Sequence, residues 1–157
     1  MKRLGWLVVA AALVTGACGD DGPARDAEGN ITETGDVSVF SLQTGDCFDD
    51  PAAQQTQVDQ VTVVPCSQPH DNEIFYSFDL PDGDFPGQDS ISTASATECL
   101  GDRFTTYVGI TYDESALDVF PVTPTAASWA EGDRTVYCAA FNLDLAKLSG
   151  SVEGTNR

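Results

Sequence analysis

Apolar and polar positions alternate most cleanly over residues 73–80. Ile74, Tyr76, Phe78 and Leu80 fall on one side, and Glu73, Phe75, Ser77 and Asp79 on the other. A period of two predicts a half-buried strand. Residues 57–64 alternate less perfectly but are dense in β-branched residues, which predicts a second strand ending at Pro65. Residues 37–42, with Val37, Val39 and Phe40, predict a first strand. Residues 135–141 are apolar on both faces and predict a central strand. Residues 117–122 predict an edge strand, because Pro121 cannot donate to a ladder. One long helix is expected over residues 90–108. Asp89-Ser90 offers an N-cap, Ala96, Leu100, Phe104, Tyr107 and Val108 share a face, and Gly109 is a natural stop. Residues 124–131, which carry Trp129, predict a turn or short helix. The fold class that follows is α+β: a small antiparallel sheet of four or five strands with one main helix packed on it.

The amino terminus has a different pattern. Met1-Lys2-Arg3 is a basic start, and residues 4–15 form an uncharged, mostly apolar run. That run is short for a transmembrane helix, which needs about 20 residues, and has the length of a signal-peptide core. It closes in Val14-Thr15-Gly16-Ala17-Cys18, which resembles a bacterial lipobox. The resemblance implies a signal peptide over 1–17 and diacylation of Cys18, an anchor of two chains where a single chain is marginal. Residues 18–36 are rich in Gly, Asp and Glu and are expected to be an acidic flexible tether. The folded domain is expected over 37–154.

Charge narrows the partners. The chain of 157 residues carries 25 Asp and Glu against 7 Lys and Arg, a net charge of -18. Such an excess opposes binding to nucleic acid and to anionic headgroups, both of which need basic side chains. Any membrane attachment falls to the lipid.

Five cysteines less the lipidated Cys18 leave Cys47, Cys66, Cys99 and Cys138. An even number in an exported domain predicts two disulfides, with three connectivities open. Cys47 and Cys66 lie at comparable ends of short strands. A central strand beneath a packed helix brings Cys138 to Cys99. The favoured pairs are therefore Cys47–Cys66 and Cys99–Cys138.

Gly45-Asp46-Cys47-Phe48, Val63-Val64-Pro65-Cys66-Ser67 with Pro69-His70, and Glu73-Ile74-Phe75 resemble motifs of the septum formation domain family of actinobacterial surface proteins. Leu80-Pro81, Phe85-Pro86-Gly87, Cys99 with Tyr107-Val108-Gly109, Trp129 with Gly132-Asp133-Arg134, and Gly150-Ser151-Val152 continue the similarity over about residues 40–154. The resemblance implies an exported, membrane-anchored protein linked to division septa, without a transferable catalytic residue.

Candidate chemistry is sparse. His70, the sole histidine, stands beside Asp71 and could serve as a general base or thiol partner, but no nucleophile motif accompanies it. Cys66 and His70 lack the paired spacing of a zinc site. Asp79, Asp82, Asp84 and Asp89 do not follow a calcium-loop spacing. No catalytic residue, metal or cofactor is assigned. His70, Asp71, Trp129, Asp133 and Arg134 form the candidate binding surface, Trp and Arg being frequent anchors at interfaces. The expected function is non-enzymatic: a lipid-anchored domain on the extracytoplasmic face of the cell membrane that binds a protein or cell-wall partner in septum or wall assembly. The alternatives are a small-ligand or metal-binding envelope lipoprotein and, less favoured, a His70-dependent hydrolase or thiol enzyme.

Overall fold

The computed structural model describes residues 22–51 and 58–157. The expected signal peptide, Cys18 with the start of the expected tether, and the start of the strand expected at 57 lie outside them. Six strands form one antiparallel sheet: β1 (Gly35–Ser38), β2 (Cys47–Asp49), β3 (Gln60–Val64), β4 (Asn72–Asp79), β5 (Leu117–Val122) and β6 (Thr135–Asn142). Their spatial order is β1-β3-β2-β4-β6-β5. The expected α+β class holds, with more strands than the hydrophobic pattern suggests. β2 is only three residues long and hides in a turn-like Gly-Asp-Cys motif. The expected strand over 37–42 is instead β1 followed by a 3-10 turn, Val39–Ser41, which Ser38 caps by accepting the Phe40 N–H.

Both faces of the sheet are buried. On one, Val136, Cys138 and Ala140 of β6 join Phe75, Ile91, Phe104, Leu148 and Val152. On the other, Tyr137 and Ala139 join Ile31, Val37, Phe48, Val63 and Ile74. β6 is flanked by β4 and β5, as its two apolar faces require. The simple alternation expected for β4 fails at a register shift between Ile74 and Tyr76. Ile74 belongs to one core, whereas Phe75, Tyr76 and Phe78 pack on the other. An irregularity of this kind displaces the side chains that follow it to the opposite face.

The expected single helix is two: α1 (Gln88–Cys99) and α2 (Asp102–Val108). Asp89-Ser90 does not cap it; the N-cap is Gly87, and no side chain caps the end. In one continuous helix Phe104 would lie about 140° around the axis from Cys99. The break at Leu100-Gly101 lets both face the sheet, at 0% and 1% exposure, and leaves Leu100 outside. Gly109 ends α2 at φ 95, with Asn156 so close that a Cβ there would meet its Oδ1 at 2.8 Å. A short helix, α3 (Ala126–Ala130), carries Trp129 behind a Thr125–Ser128 capping box.

The segment read from sequence as a flexible tether is packed where the structure describes it. The tether expected to reach residue 36 turns back on itself at an Arg25–Ile31 bridge and buries Ile31. The Arg25 guanidinium grips Asp46 with two bonds of 2.6 and 2.8 Å. The carboxyl-terminal stretch covers the helix-side core through Leu148 and Val152, both fully buried.

β5 forms one rim of the sheet, and no outward N–H is free at its alternate positions. The Leu117 N–H donates to Ser115 Oγ, the Val119 N–H to Asp118 Oδ1, and Pro121 has no N–H. Both expected disulfides are present, Cys47–Cys66 and Cys99–Cys138.

Candidate functional site

Sequence reasoning grouped five residues into one surface, and the fold separates them. His70 and Asp71 precede β4, where Asn72 pairs with Phe141; Asp133 and Arg134 precede β6, where Thr135 pairs with Asp79. The two sets sit at opposite ends of the same strand pair.

At the first end His70 is fully buried and cannot face a partner. Its backbone exchanges hydrogen bonds with Leu148, at 3.2 and 2.8 Å. Its Nδ1 lies 2.7 Å from the Gln68 carbonyl, which can only accept, so Nδ1 carries the proton. Nε2 has no partner among the described residues. The corner from Pro65 to His70 is thus a structural clasp for the chain's end. Asp71 receives the Asp50 N–H and shares Lys147 with Asp49, at 3.1 and 2.7 Å.

Glu73, placed by the alternation on a polar side, is completely buried instead. Its carboxylate accepts from Tyr107 Oη at 2.7 Å, Ser151 Oγ at 2.6 Å and the Val152 N–H at 2.7 Å. Burial and the Glu73 charge hold the Tyr107 hydroxyl well above the ordinary phenol range. Among the described residues, Cys47, Cys66 and Glu73 are the one set of three potential metal ligands within 4.8 Å of one another. The two sulfurs are bonded to each other, so the set offers no thiolate. Cys66 cannot join His70 on zinc for the same reason. Asp79, Asp82, Asp84 and Asp89 form no such set; Asp79 is taken by Thr135 Oγ1, and Asp82 is exposed beside Arg134.

At the second end Trp129 is also buried, and its Nε1 donates to the Gly83 carbonyl. The Arg134 guanidinium lies 3.9 Å over the indole ring and donates to the Trp129 and Asp133 carbonyls. Its Nε is 3.4 Å from Asp82 Oδ1, too poorly aligned for a hydrogen bond, and Asp82 is almost wholly in solvent. That ion pair contributes little; the stacking and the two carbonyls hold the arginine. Asp133 accepts from Ser128 Oγ at 2.8 Å and from the Thr135 N–H at 3.1 Å.

These side chains form one end of a groove. A cavity of about 420 Å³ touches Asp79, Asp133, Arg134 and Tyr137. A second of about 450 Å³ continues along Val122, Phe120 and Val58. Phe40, Ser128, Asp133, Thr135 and Tyr137 line both. Of the five residues chosen from sequence, only Asp133 and Arg134 reach this groove. Phe40, Phe120 and Tyr137 were missed as site residues. A half-exposed phenylalanine inside a strand-like pattern looks the same in sequence as a core one.

A family model for septum formation matches residues 14–138, well over half of the chain. The chain belongs to the septum formation family. The match takes in all four disulfide cysteines and the whole of β4, and it stops at Cys138, inside β6 and before the segment that docks on Glu73. No curated protein and no solved structure matches the chain. Among the described residues of this septum formation protein, no helix is long and apolar enough to cross a membrane.

Proposed function

We propose that this protein is a non-enzymatic, lipid-anchored lipoprotein on the extracytoplasmic face of the cell membrane, like the actinobacterial surface proteins its motifs resemble. It binds a protein or cell-wall partner during septum or wall assembly. The observation that carries the reading is the family match over residues 14–138. Two disulfides support an oxidising location, where such bonds persist. The lipobox at Val14 to Cys18 supplies the anchor. Burial of the sole histidine, with Nδ1 committed to Gln68, weighs against a His70-dependent hydrolase. The joined sulfurs of Cys47 and Cys66 weigh against a zinc protein.

The test is localisation in dividing cells, paired with a Cys18→Ala variant. Wild type is expected in the membrane fraction, acylated, and concentrated at septa. The variant is expected to lose its acyl chains and leave the membrane. A uniform signal that division arrest does not change would overturn the septal role. Retention of Cys18→Ala in the membrane would overturn the anchor.

A further inference from the structure

The groove differs from the rest of the surface in two ways. Its walls expose aromatic rings: Phe40 is 51% and Phe120 49% exposed, and both line the cavity that the largely buried Tyr137 also borders. Single exposed apolar residues are ordinary, but two exposed rings lining one concavity are the form of an interaction site. The rim is acidic, carrying Asp79, Glu131 and Asp133. The donors to Asp79 and Asp133 are a hydroxyl, a hydroxyl and an amide, all neutral, so no cation among the described residues is paired with either. Among the described residues Arg134 is the one cation lining it, and its guanidinium is already turned onto Trp129 and two carbonyls. The Tyr137 hydroxyl is held above its ordinary range by burial and then by the charges of Asp133 and Asp79.

The same sign extends beyond the groove. The net charge is -18, and Arg25, Arg103, Arg134 and Lys147 each lie against a carboxylate. A partner approaching this face meets a negative field, which favours cations and repels phosphorylated or carboxylated polymers. Among the described residues no three rim carboxylates converge within ligand distance, which does not suit a lone divalent ion. An apolar floor with an acidic rim suits an extended chain, whose side chains alternate between two sides.

Resting on the reading that the protein acts by binding a partner, we propose that the groove between Phe40, Tyr137 and Phe120 takes a basic, extended peptide segment. In that segment aliphatic side chains alternate with Lys or Arg. The aliphatic side chains lie against the three rings, and the cations reach Asp79, Glu131 and Asp133. Addition of the segment as a further strand is disfavoured at the neighbouring rim, where β5 offers no free N–H at Leu117, Val119 or Pro121.

The test uses full-length protein purified in detergent and a short, end-blocked, labelled peptide alternating Lys and Leu. A Glu-Leu peptide and an all-Lys peptide serve as comparisons. The Lys-Leu peptide is expected to bind most tightly, to weaken as salt is raised, and to shift the NMR signals of Phe40, Phe120 and Tyr137. Phe40→Ser with Phe120→Ser should cut its affinity by about tenfold or more, as loss of interface anchors does. Leu145→Ser, at an exposed site outside the groove, should not change it. Equal binding to all variants, equal binding of the Glu-Leu peptide, or no binding would overturn the proposal. In cells the two readings separate. If the Phe40/Phe120 variant still concentrates at septa as wild type does, the groove is wrong and the septal role stands. If wild type is diffuse while the peptide results hold, the septal role is wrong and the groove stands.

Discussion

Glu73 and Val152 are joined across 79 residues of sequence by a buried hydrogen bond of 2.7 Å. A carboxylate with no solvent contact must be matched by donors, and Glu73 has three. The bond fastens the chain's end to the middle of the sheet and fixes Tyr107 of α2 in the same place. Glu73→Gln keeps the shape but puts a donor amide where three donors converge. It is expected to lower stability by about 2–3 kcal/mol, read as a fall in Tm. Backbone exchange at Val152 and Gly154 should accelerate first, since both N–H groups hold that segment down. Unchanged exchange there would argue that packing of Leu148 and Val152 suffices alone.

Tyr107 sets an alkaline limit. Its folded-state hydroxyl titrates above its unfolded value of 10.0, first because it is buried and then because Glu73 is beside it. Between those two values the unfolded chain releases a proton that the folded chain keeps. Stability is therefore undiminished below about pH 10 and declines as pH rises beyond it. Tyr112 and Tyr137 are shifted in the same direction and steepen the decline. Denaturant melts on the alkaline side should show this loss. Tyr107→Phe should flatten it while lowering stability at neutral pH.

The two disulfides should separate on reduction. Cys66 is partly exposed and lines a cleft of about 290 Å³, whereas Cys99 and Cys138 are at 1% and 0% exposure. Timed thiol trapping in mild reductant is expected to label Cys47 and Cys66 first. The thermodynamic order agrees, because the bond reduced first is also the one that stabilises less. Sequence separations of 19 and 39 give about 3 kcal/mol for Cys47–Cys66 and about 4 kcal/mol for Cys99–Cys138 on the chain-entropy model. Paired Cys→Ala variants, compared by urea midpoint, check that order.

Arg134→Lys tests whether shape or charge matters beside Trp129. Lysine keeps the charge but loses the planar fork that stacks on the indole and bonds two carbonyls. A loss of about 1–2 kcal/mol is expected. Asp82→Asn, which removes only the exposed partner, should change stability by less than about 0.5 kcal/mol.

Strands with strong local pattern were legible from sequence. β4, β5 and β6 lie where alternation, Pro121 and a doubly apolar run put them. Both cysteine pairs followed from strand ends and from a helix over a central strand. What local pattern could not show were effects of partners distant in sequence. Asp46 stands in a turn-like Gly-Asp-Cys motif, and its burial depends on Arg25. Glu73 looked solvated, and its burial depends on Tyr107, Ser151 and Val152. The helix break follows from the need to turn both Cys99 and Phe104 inward, which helical periodicity alone reads as one continuous face. His70 and Trp129 drew attention as rare residue types, and the fold uses both as interior fasteners. The groove depends on Phe40 from a turn, Phe120 from an edge strand and Tyr137 from a central one. No stretch of sequence contains them together.

The closed rim of β5 matters most where molecules are crowded. Proteins tethered side by side on one surface meet at high local density, and an open strand rim would let neighbours zip into fibres. Here Ser115 and Asp118 spend their oxygens on the β5 backbone, and Pro121 has nothing to donate. Pairing through the N–H groups of this rim is thereby blocked, which leaves association there to side chains.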